Sequence, residues 1–248
     1  MRRAGVLHGG GRLVAIEGAD GKIRPEALAA ALDAWPATVH TYQPAAVALT
    51  QATELGTVYQ PTEIAGIAQL AHGRGLHVQL DGARFANAVV SLGVEPADIT
   101  WRAGVDVLSF GATKNGALGA EAVVFFNREL VRDFELRRKR GGHLLSKSRY
   151  VSAQLLVYLE SDVWRRNALR ANRFAARIGA AAADFLMHPV EANEVFLRLG
   201  EGYKTRLRAQ NFHFYDWGAK GSGEARVVAS WDQRESDVEA LCAAVRAL

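Results

Sequence analysis

The sequence predicts an α/β fold with a mainly parallel sheet, followed by a small α+β unit. Three observations predict it. Short apolar runs of strand length alternate with helical patterns through the first half of the chain. Glycine and proline punctuate many of the junctions. After Asn127 helices take over, and three short strand candidates with two helices then close the chain. Alternation of this kind favours a parallel sheet, because parallel neighbours need a long crossover and a helix supplies it.

The elements follow in order. Predicted strands of the first half are residues 13–16, 46–50, 77–80, 105–109 and 121–126. A helix over 25–35 opens with Pro25 in its first turn, where the missing N–H costs nothing. The helix over 61–74 opens with Pro61-Thr62-Glu63, carries Ile64, Ile67, Ala68 and Ala71 on one face, and stops before Gly75. Residues 95–103 are a further helix candidate. Beyond Asn127, helices are expected over 128–139, 149–160 and 162–186. Strands over 194–199, 213–217 and 225–230, with helices over 203–210 and 233–247, make the small unit. The chain is expected to divide into a large domain, 1–160, and a small one, 161–248, joined through the long helical stretch.

Composition bounds the function. The 248 residues are 49% hydrophobic and 23% charged, which excludes a disordered or collagenous chain. Cys242 is the only cysteine, which excludes a disulfide scaffold. No apolar run reaches the roughly 18 residues of a membrane span. Met1-Arg2-Arg3-Ala4-Gly5 leads into no apolar stretch of a signal peptide, so a cytoplasmic chain is expected. The net charge is +4, with acidic residues interspersed along the chain, and no nucleic acid partner is expected. The basic run Arg137-Arg138-Lys139-Arg140 lacks interleaved aromatics and reads as a solvated or subunit-facing stretch. The histidines lack zinc spacing, and no metal site is expected. His72 reads as a stabilising residue at a helix end.

Two segments carry chemistry. In His77-Val78-Gln79-Leu80-Asp81-Gly82-Ala83-Arg84 a strand ends in a carboxylate, where open α/β sheets bind ligands. Asp81 there either meets a cation or protonated ring nitrogen, or caps the following helix. In Val105-Asp106-Val107-Leu108-Ser109-Phe110-Gly111-Ala112-Thr113-Lys114-Asn115-Gly116 a strand runs into small residues that present one lysine. A lysine in a pocket at a sheet edge loses its proton readily and forms a Schiff base; the alternative is a solvated loop lysine. Lys114 is followed by Asn115, which excludes a phosphate loop of the Walker type. Together, Asp81 and Lys114 fit a pyridoxal phosphate site, with the lysine on the aldehyde and the carboxylate on the pyridine nitrogen.

At these residues the chain closely resembles the low-specificity L-threonine aldolases, which are fold-type I pyridoxal phosphate enzymes. Asp81-Gly82-Ala83-Arg84 and Phe110-Gly111-Ala112-Thr113-Lys114-Asn115-Gly116 carry the resemblance. So do the segments around Glu54, Arg137, Glu191 and Arg226. It implies a fold-type I transferase-like large domain and a small C-terminal α+β domain. It implies a Schiff base at Lys114, Asp81 on the pyridine nitrogen, Ala83 under the ring and Thr113 near the phosphate. Arg84 and Arg226 would hold the substrate carboxylate, a task suited to the guanidinium fork. Glu54 would face the substrate hydroxyl, as a base or as polar lining.

The implied reaction is retro-aldol cleavage of threonine, allo-threonine and related β-hydroxy-α-amino acids to glycine and an aldehyde. β-Elimination or transamination on the same scaffold, and a catalytically impaired shortened protein, are the alternatives. The resemblance also implies a homodimer or homotetramer. It aligns Ala4 to Leu13 with the interior of the large domain, so the large domain is expected to be N-terminally incomplete by roughly ninety residues. That part would carry the backbone cradle for the phosphate and a histidine stacked on the ring. Gly9-Gly10-Gly11 resembles a glycine-rich turn of the family.

Overall fold

The computed structural model describes residues 11–248. Met1 to Gly10 lie outside the described residues, and with them the start of the chain and most of the glycine-rich turn. Two sheets organise the rest. The first joins β1 (Ala46–Thr50), β2 (His77–Gly82), β3 (Val107–Gly111) and β4 (Glu121–Phe125) in that spatial order. β1, β2 and β3 run parallel, with Leu49 beside Leu80 and Leu80 beside Leu108. β4 runs antiparallel to β3, with Leu108 opposite Val124.

Helices cover this sheet. α1 (Pro25–Asp33) and α2 (Pro61–Gly73) both begin with proline in the first turn. In α2 a capping box closes the start: Gln60 and Glu63 each satisfy the other's backbone N–H. Ile64, Ile67, Ala68 and Ala71 of α2 are all buried, the face the sequence predicts. They pack in one core with Leu49, Val78, Leu80 and Leu108.

The second sheet orders β5 (Glu194–Arg198), β7 (Glu224–Val228) and β6 (Tyr215–Trp217), all antiparallel. Val195, Leu197, Ala225 and Val227 form its core with residues of α8 (Glu235–Arg246). α7 (Glu201–Ala209) adds Leu207 to that core. The 19-residue α6 (Val163–Ala181) serves both cores: Trp164 and Ala168 belong to the first, Phe174, Ala175 and Ile178 to the second.

Several expectations need correction. Residues 13–16 form no strand, and Leu13 and Val14 lie exposed without a strand partner. The 95–103 helix is two 3-10 turns, Pro96–Ile99 and Trp101–Ala103, broken at Thr100, which takes φ −128° and ψ −114°. The 128–139 helix splits at Asp133, which takes φ 63°, into a 3-10 turn and α4 (Phe134–Arg140). α5 (Arg149–Glu160) and α6 are separate helices as expected, with Asp162 at φ 55° between them, but α6 stops at Ala181 and a 3-10 turn, Ala183–Phe185, follows it. A helix the sequence reading omits, α3 (Phe85–Leu92), follows β2 and ends on Gly93 in the left-handed conformation. Among the described residues, no helix is long and apolar enough to cross a membrane.

Candidate active site

Asp81 stands at the carboxyl end of β2, in register with Thr50 of β1 and Ser109 of β3. Its Oδ1 accepts the Ala83 backbone N–H at 3.0 Å. The helix-cap reading therefore does not hold: the N-cap of α3 is Arg84, and the Asp81 bond closes a local turn instead. Two glycines bring the backbones together here. A Cβ on Gly82 would come within 2.9 Å of the Ser109 carbonyl oxygen, and one on Gly111 within 2.9 Å of Ala83 Cα. Ala83 thus rests against the end of β3.

The lysine follows directly. β3 ends at Gly111, and a 3-10 turn, Thr113–Asn115, presents Lys114. Thr113 and Lys114 are exposed, while Ala112 and Asn115 on either side are buried. Asn115 Nδ2 donates to the Tyr158 hydroxyl at 2.5 Å and to the Trp164 carbonyl at 2.8 Å. Asn167 of α6 donates to the Asn115 carbonyl at 2.9 Å. The lysine turn is therefore pinned to α5 and α6. Partial desolvation, and then the positive charge of Arg84, hold the Lys114 ammonium below its ordinary pKa. The charges of Glu194, Glu54 and Asp81 oppose that shift, so all four groups lie within electrostatic reach of one amine. Burial raises the Tyr158 hydroxyl to about 12.

Arg84 and Arg226 come together although Arg84 follows β2 of the first sheet and Arg226 lies on β7 of the second. Arg84 donates through Nε to Asn193 Oδ1 at 3.1 Å, and its Nη2 is ion-paired with Glu194 Oε1 at 3.1 Å. Arg226 reaches the same oxygen through Nε at 2.8 Å and Nη2 at 2.5 Å. Burial first, and the neighbouring Arg226 charge after it, lower the pKa of Arg84, against the pull of Glu194. Glu54 is exposed, on the segment after β1, and its charge acts on both Arg84 and Lys114. That segment is fixed by Gln51, which exchanges bonds with the Tyr59 backbone at 2.8 and 2.9 Å. Gly56, at φ 78°, lies so close that a Cβ would meet the Glu194 carbonyl at 3.1 Å.

The structure thus brings Glu54, Asp81, Arg84 and Lys114 into one electrostatic neighbourhood, with Ala83 and Thr113 adjacent in the chain and Arg226 joined through Glu194. Sequence reasoning missed Glu194 and assigned no role to Asn193 or Asn115, although both stand in segments that carry the resemblance. Glu194 left a signal: a carboxylate opening the apolar strand Glu194-Val195-Phe196-Leu197 must find a cation if buried. The arrangement offers an amine of lowered pKa, a carboxylate at a strand end, and a paired guanidinium site for an anion.

The model of the beta-eliminating lyase family matches residues 2–201. The chain belongs to the beta-eliminating lyase family. Within the lyases, it is 45% identical over 214 residues to a low specificity L-threonine aldolase of a Pseudomonas species, covering 85% of this chain and 61% of that protein. It is 46% identical over 212 residues to the enzyme of the same name from Pseudomonas aeruginosa, covering 84% and 61%. The chain spans about three fifths of the length of these curated relatives. A solved threonine aldolase from Leishmania major superposes with a TM-score of 0.90 at 26% identity, over 97% of this chain and 71% of that one. A putative L-allo-threonine aldolase from Listeria monocytogenes shares the fold at a TM-score of 0.68 and 15% identity, over 97% and 69%. The architecture is therefore that of the fold-type I lyases, a mixed sheet with three parallel strands and a smaller antiparallel one.

Proposed function

We propose that this chain binds pyridoxal 5'-phosphate and serves the retro-aldol cleavage of β-hydroxy-α-amino acids, L-threonine and L-allo-threonine among them, to glycine and an aldehyde. One observation carries the reading. An amine with lowered pKa, a carboxylate at a neighbouring strand end and two arginines gathered on one buried carboxylate occupy a single electrostatic neighbourhood. The likeness to the Pseudomonas aldolases supports it.

The residues fit the cofactor. Lys114 would hold its aldehyde, and the lowered pKa keeps more of the amine in the reactive neutral form. Asp81 would hold a proton on the ring nitrogen, Ala83 would pack under the ring, and Thr113 would meet the phosphate. When bound, the cofactor supplies an electron sink for the charge left at Cα. Arg84 and Arg226 would bind the substrate carboxylate and so orient the Cα–Cβ bond. Glu54 would face the β-hydroxyl, as proton acceptor or as polar wall. Glu54→Gln distinguishes the two, because a wall survives that change and a base does not.

In this reading Asp81, Arg84 and Lys114 come from a cofactor unit, 1–160, and Arg226 from a smaller unit, 161–248. The substrate is a small amino acid, and neither nucleic acid nor a membrane takes part. We assign the protein to the cytoplasm as a homodimer or homotetramer. The exposed apolar side chains of Val123, Val124, Leu156 and Val157 support association with another chain.

The test is product analysis. The 248-residue chain is incubated with pyridoxal phosphate and L-threonine, and glycine, acetaldehyde, ammonia and 2-oxo acid are measured. Glycine with equimolar acetaldehyde, lost in Lys114→Ala, is the expected result. Ammonia with 2-oxo acid would replace it by β-elimination, and no product at all would overturn it.

A further inference from the structure

We infer that Glu194 is a positioning residue: it holds Arg84 and Arg226 on one oxygen so that both guanidinium groups face a single incoming carboxylate. The inference deepens the aldolase reading and rests on it for the identity of the ligand.

The geometry is asymmetric. Oε1 of Glu194 takes Nη2 of Arg84 and both Nε and Nη2 of Arg226. Oε2 is buried and, among the described residues, has no hydrogen-bond partner. The side chain is only 1% exposed. A buried ion pair gives no net stability over a well-packed apolar residue of the same volume. The fold alone therefore does not call for a polar side chain here, whereas two arginines that share one point need an acceptor oxygen at that point. The triad of Arg84, Arg226 and Glu194 carries one net positive charge, and Glu54 and Asp81 act on Arg84 from outside it.

Its neighbours fix the cluster from every side. The Glu194 backbone pairs with Val228, and Gly56 packs on its carbonyl and Cβ. Asn193 holds Arg84 Nε and donates to the Ala229 carbonyl at 2.8 Å. Arg226 lies 5.7 Å from the ring centres of both Tyr215 and Trp217. Trp217 in turn meets Phe196 edge-on at 5.0 Å. The bonds that hold the arginines use Nε and Nη2 of each, and a guanidinium has donors left over for a second anion.

The test compares glycine with glycinamide, which keeps the amine and lacks the carboxylate. Each is titrated into the chain loaded with pyridoxal phosphate, and binding is read from the cofactor's visible spectrum. Glu194→Ala removes the shared oxygen. Glu194→Asp keeps the charge but withdraws the oxygen by one methylene. Glu194→Gln keeps an acceptor oxygen in place. In Ala and Asp variants the preference for acid over amide falls about tenfold, roughly 1.4 kcal/mol, while glycinamide binding changes less than about twofold. The Gln variant keeps most of the preference. Should the Ala variant fail to fold, the contrast between Asp and Gln decides alone. Equal losses for acid and amide, or an Asp variant like wild type, overturn the inference and leave the aldolase reading standing. A wild-type chain that responds to neither ligand overturns both.

Discussion

Asn115, the residue after the candidate lysine, is hydrogen-bonded through Nδ2 to the Tyr158 hydroxyl at 2.5 Å, which ties the turn after β3 to α5. The same amide donates to the Trp164 carbonyl, so one buried side chain joins three elements. Removing it leaves a buried carbonyl and a buried hydroxyl each short of a donor. Asn115→Ala is expected to lower stability by about 2 kcal/mol. It should also weaken cofactor retention, because Lys114 loses its anchored neighbour. Tyr158→Phe removes only the acceptor and should cost about half as much. Thermal unfolding of both variants, with and without cofactor, checks the order.

The pH dependence of cofactor capture follows from the surroundings of Lys114. Desolvation lowers its pKa, and Arg84 lowers it further. A lowered pKa leaves more neutral amine at a given pH, so capture begins at lower pH than for an ordinary lysine. Arg84→Met removes a cation and leaves Glu194 paired with Arg226 alone, and both changes favour the protonated amine. The pH midpoint of cofactor binding, followed by absorbance, should move upward in that variant. An unchanged or lower midpoint would mean that Arg84 does not act on the amine.

The sequence makes much of this frame legible, for definite reasons. α2 announces itself through Pro61, the Glu63 of its capping box and an apolar face at helical spacing. β1 to β3 are short apolar runs between turn residues. α3 is harder to see because Phe85, Ala86, Asn87, Ala88 and Val89 are all buried, and a helix buried on most sides shows no period. The direction of β4 was within reach: only residues 112–120 separate it from β3, too few for a parallel crossover. Asp81 stands out because it closes a strand and Lys114 because it follows one, whereas Arg84 stands out only through the resemblance to the aldolases. Glu194 does not, since its role depends on two arginines distant in sequence that only the folded chain brings together.

Asp106 gives a stability prediction with a definite sign. Burial raises its pKa. Bonds from the Val78 N–H at 2.7 Å, from His72 Nε2 at 2.9 Å and from Asn127 outweigh burial, and the net shift is downward. The helix-end His72 therefore acts through Asp106. A carboxyl whose pKa is depressed on folding contributes stability above its unfolded value of about 3.9, and loses it as pH falls through the folded value. Asp106→Asn should cost about 2 kcal/mol at pH 7. The gap to wild type should close in acid, below the ordinary carboxylate range. Urea unfolding at both pH values measures it, and a gap that widens in acid would contradict the assignment.

Gly111 tests how tightly the two strand ends are joined. An added methyl group would sit 2.9 Å from Ala83 Cα and 2.9 Å from Glu121 Oε2. Ala83 Cα is backbone and cannot swing aside, so β3 or the turn after β2 must shift. Overpacking of this kind costs about 1–3 kcal/mol. The shift moves Ala83, and with it Asp81, relative to Lys114, so cofactor affinity should fall together with stability. Gly119 supplies the control: nothing lies within 4 Å of its added methyl group, and Gly119→Ala should stay within about 0.5 kcal/mol of wild type. Parallel measurement of unfolding and cofactor binding separates the two sites. Equal behaviour of the two variants would show that the close approach at Gly111 is not needed to align the site.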